Sequence, residues 1–127
     1  MTATQSSTFL NDARQFGAGN CIDGVKGSDK TPGGKWALCH TNHEAAPWIA
    51  LDFGTSVTVQ RVELSKSSMG ANRIQKVDVR VSEKLPTSGS KMFSGGALLG
   101  QFAGPGTEEN IIISGQLLLA AAACSML

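Results

Sequence analysis

Between Trp48 and Glu83 the chain alternates apolar and polar residues with a period of two. "WIALDF" puts Ile49, Leu51 and Phe53 on one side. "VTVQRVELS" alternates Val57 and Val59, then Val62 and Leu64 after a one-residue shift that suits a bulge. "RIQKVDVRVSE" sets Val77, Val79 and Val81 against Asp78 and Arg80. Successive side chains of a strand point to opposite faces, so this pattern predicts half-buried antiparallel strands. "NIIIS" predicts another strand at Ile111–Ile113, and no stretch before Gly115 has helical periodicity. With 127 residues, one domain of 1–127 is expected. Its fold class is all-β, an antiparallel β-sandwich whose loops cluster at an end and carry the site.

The first 47 residues are rich in turn signals: "GAGN", "DG", "GSDKTPGGK" and "AAP". Fifteen glycines and no tyrosine fit a loop-rich chain. A net charge of +1 with no block of like charges makes no case for nucleic acid. "MTATQSSTF" lacks the basic and apolar regions of a signal peptide. The apolar tail at 116–127, "QLLLAAAACSML", has helix-forming composition without caps. A bilayer needs about 20 apolar residues, so no membrane span is expected there.

His40 and His43, the two histidines, adjoin Cys39 in "ALCHTNHEAAPW". Their i, i+3 spacing is not that of a helical zinc motif, and neighbours on an extended chain diverge. The same divergence argues against a Cys39–His40 nucleophile and base. No paired carboxylates are legible, so an enzyme is not expected. Cys21, Cys39 and Cys124 permit one bridge and a free thiol, or three free thiols. "NCIDGVKGSDK" gathers the oxygen donors Asn20, Asp23, Ser28 and Asp29, of the kind calcium takes, in a turn that solvent alone would also satisfy. Lys66 and Arg73 bracket the loop "SKSSMGANR". If that loop and the His40 loop share one end of a sandwich, three donors converge.

The ordered run "ATQSSTF", "NCIDG", "CHTNHEAAPWIALDFG", "VTVQRVEL", "RIQKVDVRV" resembles an F-type lectin (fucolectin) domain. The wider relatives are the discoidin and coagulation-factor C domains. The resemblance covers roughly residues 3 to 82. It implies a jelly-roll-like sandwich that binds terminal L-fucose on glycans, works extracellularly, serves innate immunity and uses calcium to stabilise loops. The family signature is a histidine, a later Arg-x-Asp and a second basic residue. His40, Lys66 and Arg73 fall on those positions, with 25 residues between His40 and Lys66, within one of the family spacing. Imidazole and cationic groups can give charge-assisted hydrogen bonds to sugar oxygens, and Trp36 is a candidate apolar wall.

Departures from the family are equally specific. Lys66 replaces an arginine and loses its planar fork, and Ser68 replaces the orienting aspartate. Met69-Gly70 stands where many members have adjacent cysteines. These changes are expected to weaken fucose binding or alter the sugar. The resemblance places calcium ligands at Asn20, Asp23 and Val25, the first and last through carbonyls, with another near Ala37 or Leu38. The family's later ligands have no counterpart, so an incomplete site is expected. The first and last strands of the fold look absent, leaving a sheet edge open to a partner or to a homo-oligomer. A Cys39–Cys124 bridge would require the apolar tail to dock in place of the lost strand. The alternative function is a discoidin-like structural or interaction domain with a degenerate sugar site.

Overall fold

The computed structural model describes residues 1–25, 36, 38–66, 73–83, 96–106 and 110–126, without the side chains of 117–126. Five strands form one antiparallel network: β1 (Thr2–Gln5), β2 (Trp48–Ser65), β3 (Val77–Ser82), β4 (Ala97–Phe102) and β5 (Asn110–Met126), in the order β1-β2-β5-β3-β4. A short helix, α1 (Ala13–Phe16), lies between two 3-10 turns at Phe9–Asn11 and Ala18–Cys21.

The two alternating runs 48–53 and 57–65 are one bent strand. Asp52 lies opposite Ala122 and Val57 opposite Ala120, so four residues of β2 face a single residue of β5. Gly54 makes the corner with φ +70°, a conformation that costs other L-residues, and its N–H donates to Asp52 Oδ1 at 2.8 Å. A register shift between Val59 and Arg61 falls at the slip in the alternation, with one residue of β2 there facing three of β5.

The corner makes two layers from one network. β3 pairs with the Ala122–Met126 half of β5, whereas residues 57–65 of β2 pair with the Asn110–Ala120 half. Yet Val77, Val79 and Val81 of β3 share a core with Val59, Ile111 and Ile113 from those other halves. The halves therefore fold over one another as a sandwich, with Leu99 of β4 in the same core. Val77 and Val79 are at most 1% exposed. Each contributes roughly 1.5–3 kcal/mol of burial.

Three elements depart from the sequence expectation. The apolar tail does not stand apart, because 110–126 is a single strand lying between β2 and β3. Cross-strand pairing overrides its helix-forming composition. Residues 97–102 form β4, although "ALLGQF" does not alternate. A register shift between Val79 and Arg80 sets Leu98 opposite Arg80 while Leu99 enters the core. β4 and β5 also cross closely, since a Cβ at Gly115 would fall 1.9 Å from the Leu99 carbonyl oxygen. Finally, the turn-rich N-terminus contributes β1 and α1.

Candidate functional site

His40 sits in a frame built by the first 16 residues. Its backbone N–H donates to Phe16 O (3.1 Å), and its carbonyl accepts from Phe9 N–H (2.9 Å). Gln5 Nε2 ties the frame together, donating to Phe16 O (2.9 Å), Thr8 Oγ1 (3.0 Å) and His40 O (3.4 Å). The imidazole lies 4.5 Å from the Phe9 ring and 5.9 Å from the Phe16 ring, and the two phenyl rings meet edge-on at 5.2 Å. Cys39 is bonded to Cys21, which fastens the same loop to the end of the second 3-10 turn.

This disulfide corrects the expected alternative of a Cys39–Cys124 bridge. Cys21 and Cys39 have Cα atoms 5.3 Å apart, within the range a disulfide spans. The backbone of Cys124 lies within β5, opposite Ala50 and Arg80.

His40 Nδ1 lies 2.5 Å from Thr41 O. A carbonyl only accepts, so Nδ1 carries the proton and Nε2 is the nitrogen left for a ligand. In the neutral ring Nε2 accepts a hydroxyl proton, and in the imidazolium it donates. The donor role expected of His40 therefore belongs to its charged form. His43, in contrast, is exposed.

Trp36 is half-buried beside α1, with its N–H donating to Gln15 Oε1 (3.2 Å). Leu38 N–H and His40 N–H then donate to the carbonyls of Gln15 and Phe16. One helical turn thus positions both Trp36 and His40. Asp12 caps that turn, accepting from the N–H groups of Arg14 and Gln15 and from Gln15 Nε2 at 2.7 Å. The hydrogen bond from the Gln15 side chain holds the Asp12 carboxyl below its usual range, with help from the backbone N–H groups and Arg14.

The strand register places the other two candidates. Trp48, Met126 and Asp78 form one row across the sheet. Trp48 O accepts from Ser6 N–H, so this row lies at the His40 end. Arg73 is exposed and precedes β3 at that end. From the Gly54 corner β2 runs back to the same end, where Leu64 lies opposite Ile111 and Ser65 opposite Asn110. A Cβ at Gly106 would touch both Ile111 (2.6 Å) and Ile74 (3.5 Å), so the start of β5 adjoins the segment bearing Arg73. Half-buried Lys66 follows directly after Ser65. His40, Lys66 and Arg73 thus stand at one end of the sandwich, while Ser68, Met69 and Gly70 lie outside the described residues.

The expected calcium ligands take part in local hydrogen bonds. Asn20 Nδ2 donates to Gln15 O (3.0 Å) and Leu38 O (3.2 Å), so the Leu38 carbonyl already has a partner. Asp23 Oδ1 accepts from Val25 N–H (2.8 Å) in a turn with Gly24 at φ +82°, and Val25 is exposed. These residues supply one carboxylate and some carbonyls, short of the roughly six to eight oxygens calcium takes. Ser28, Asp29 and Ala37 lie outside the described residues. Among the described residues no group of three or more His, Cys, Asp or Glu side chains could hold a metal. No described helix is long and apolar enough to cross a membrane.

Sequence reasoning missed the frame itself: Gln5, Phe9 and Phe16. The available signal was that two phenylalanines stand in an otherwise polar segment with no periodicity to place them.

No family model and no curated protein sequence matches the chain. Solved structures do. The fucolectin from striped bass (Morone saxatilis) serum superposes with a TM-score of 0.80 at 20% identity, over 99% of this chain and 41% of that one. The lectin domain of lectinolysin, solved with Lewis B antigen, gives 0.73 at 23% identity, over 99% and 80%. CpGH89CBM32-5 from Clostridium perfringens, in complex with GalNAc-β-1,3-galactose, gives 0.73 at 18% identity, over 98% and 81%. The chain thus spans less than half of the bass lectin and about four-fifths of the other two. Bent antiparallel strands in two layers, a loop cluster at one end and these superpositions together give the chain the F-type lectin fold, within the discoidin-like group of β-sandwiches.

Proposed function

We propose that the chain is a carbohydrate-binding module that recognises L-fucose or a related terminal sugar on glycans through His40, Lys66 and Arg73, with Trp36 as an apolar wall. What supports this reading is the backbone around the three residues: Trp48 and Asp78 lie in one row of the sheet, and Ile111 adjoins Ile74. The chemistry suits a sugar. Lys66 and Arg73 donate to hydroxyl and ring oxygens, while neutral His40 accepts a hydroxyl proton at Nε2. A site with both donors and an acceptor can satisfy a hydroxyl in both its roles. The solved neighbours are lectins and carbohydrate-binding modules, which supports binding without turnover.

Fucosylated glycans or glycoproteins would be the partners, and the Cys21–Cys39 disulfide suits an extracellular setting. A homo-oligomer would strengthen attachment to a glycan-bearing surface by avidity. Calcium has no assigned step here, because the described donors at Asn20, Asp23 and Val25 do not complete its shell.

Titration of L-fucose and a glycan array test the reading. His40→Ala should weaken binding at least about tenfold, equivalent to about 1.4 kcal/mol. Absence of sugar binding by the unsubstituted chain, or an affinity unchanged in His40→Ala, would sink it and favour a discoidin-like interaction domain.

A further inference from the structure

The first half of β2 has a neighbour on each side, β1 and β5, but β1 reaches only as far as Asp52, opposite Thr2. Beyond the Gly54 corner, residues 57–65 pair with β5 alone, so their other edge meets no strand among the described residues. A hollow of about 400 Å³ is lined by Leu51, Phe53 and the unbroken series 57–62. Successive residues of a strand point to opposite faces. A whole series can therefore line one hollow only where that hollow follows the edge of the strand.

An open edge offers its N–H and C=O groups to another chain. The side chains set opposite one another then decide which chain pairs, and in which register. This edge carries two opposite charges, two residues apart. Val62 lies opposite Ile113 and packs against the core, whereas Arg61 and Glu63 are exposed on the outer face beside Ile112. Within one chain Arg61 Nη2 lies 3.9 Å from Glu63 Oε2, an exposed pair that is worth little. The residues whose backbone groups point away from β5 alternate, so two copies can pair antiparallel only about a single central residue. A centre at Arg61 sets arginine against arginine, and a centre at Glu63 sets glutamate against glutamate. Both are destabilising. A centre at Val62 sets Arg61 opposite the partner's Glu63, and Glu63 opposite the partner's Arg61. Centres further along in either direction set neither charge against its opposite.

We propose that the 57–65 edge of β2 is a self-association surface, on which two copies of the chain pair antiparallel about a twofold axis at Val62. The same patch serves both copies, as a closed twofold dimer requires. The two β2–β5 ladders join into one sheet across the axis, with the strands of the two copies about 4.8 Å apart. The partner's edge fills the hollow. The pairing needs no sugar, and its test uses none.

Sedimentation equilibrium from about 10 μM to about 1 mM covers the weak association that a short ladder gives. The unsubstituted chain should show a monomer–dimer equilibrium. Arg61→Glu leaves two acids on the edge and Glu63→Arg leaves two bases, so each variant alone should dimerise at least about tenfold more weakly. An equimolar mixture of the two variants should recover the dimer, because every acid then faces a base. Both positions are exposed, and thermal melts verify folding. Three results each overturn the proposal: an unsubstituted chain that stays monomeric or forms only larger species, a dimer untouched by both variants, or weakened variants that do not recover on mixing.

Discussion

Around His40 the chain spends aromatic rings, an amide and a disulfide on holding one imidazole. Phe9 and Phe16 restrict its plane, and the Thr41 carbonyl decides which nitrogen carries the proton. Asp12 works one step further back. It caps the turn whose carbonyls hold Leu38 and His40, and the Gln15 side chain keeps its carboxyl ionised to lower pH than usual. A folded-state pKa below the unfolded one stabilises the fold at pH above the unfolded value, and that stabilisation is lost as pH falls through the folded value. Asp12→Asn should therefore lower the melting temperature at neutral pH and flatten its decline in acid. Melting curves from pH 7 to pH 2 check this, and an acid limb parallel to that of the unsubstituted chain would contradict the capping role. His40 was legible as a candidate from its place in "CHTNHEAAPW". Its frame was not, because Gln5, Phe9 and Phe16 act through contacts 24 to 35 residues distant in sequence.

Among elements, the 38–47 loop shows how irregular chain is made rigid without a ladder of its own. It borrows the carbonyls of α1, the hydroxyls of Ser6 and Ser7, and the bond to Cys21. Glu44 accepts from both serine hydroxyls at 2.6 Å, fixing the far side of the loop. The disulfide closes an 18-residue separation, and loops of that size lose roughly 3 kcal/mol of chain entropy when bridged. The Cys21→Ser, Cys39→Ser double substitution should cost about that much stability in urea titration. It should also weaken sugar binding, since it releases the residue before His40. Unchanged affinity in the folded double variant would show that the aromatic frame alone positions the ring. In the strands, the alternation at 57–64 and 77–81 was legible because one face is more buried than the other, whereas Trp48, Ile49 and Ala50 are all buried whatever their face. β4 was not, because its bulge puts successive leucines on different faces. β5 was not legible beyond Ile113, because its pairing with two neighbours is not written in its own composition.

At the scale of the whole molecule, one corner at Gly54 turns a single network into two layers and brings both ends of β2 to the same end of the sandwich. The core it closes joins residues from β2, β3, β4 and β5. Ile113 is 3% exposed, and a Cγ of its side chain would lie 2.9 Å from a Cβ placed on Gly100. Ile113→Ala should cost about 2–5 kcal/mol and lower the melting temperature accordingly. It should spare sugar affinity below the transition, because the core holds the layers while the site is held by the loop end. A loss near zero would show that the layers do not meet there.

The sequence by itself determined the all-β class, the positions of the alternating strands, the bulge near Val59 and the candidate trio of His40, Lys66 and Arg73. Each is a local pattern or an ordered motif, carried by neighbouring residues. Only the tertiary structure decided the pairing of Cys21 with Cys39, the central place of β5, the frame around His40 and the shared end of the sandwich. The physical reason is the same in each case. Those features depend on where the chain turns back on itself, and strand pairing and side-chain packing across long sequence separations settle that together.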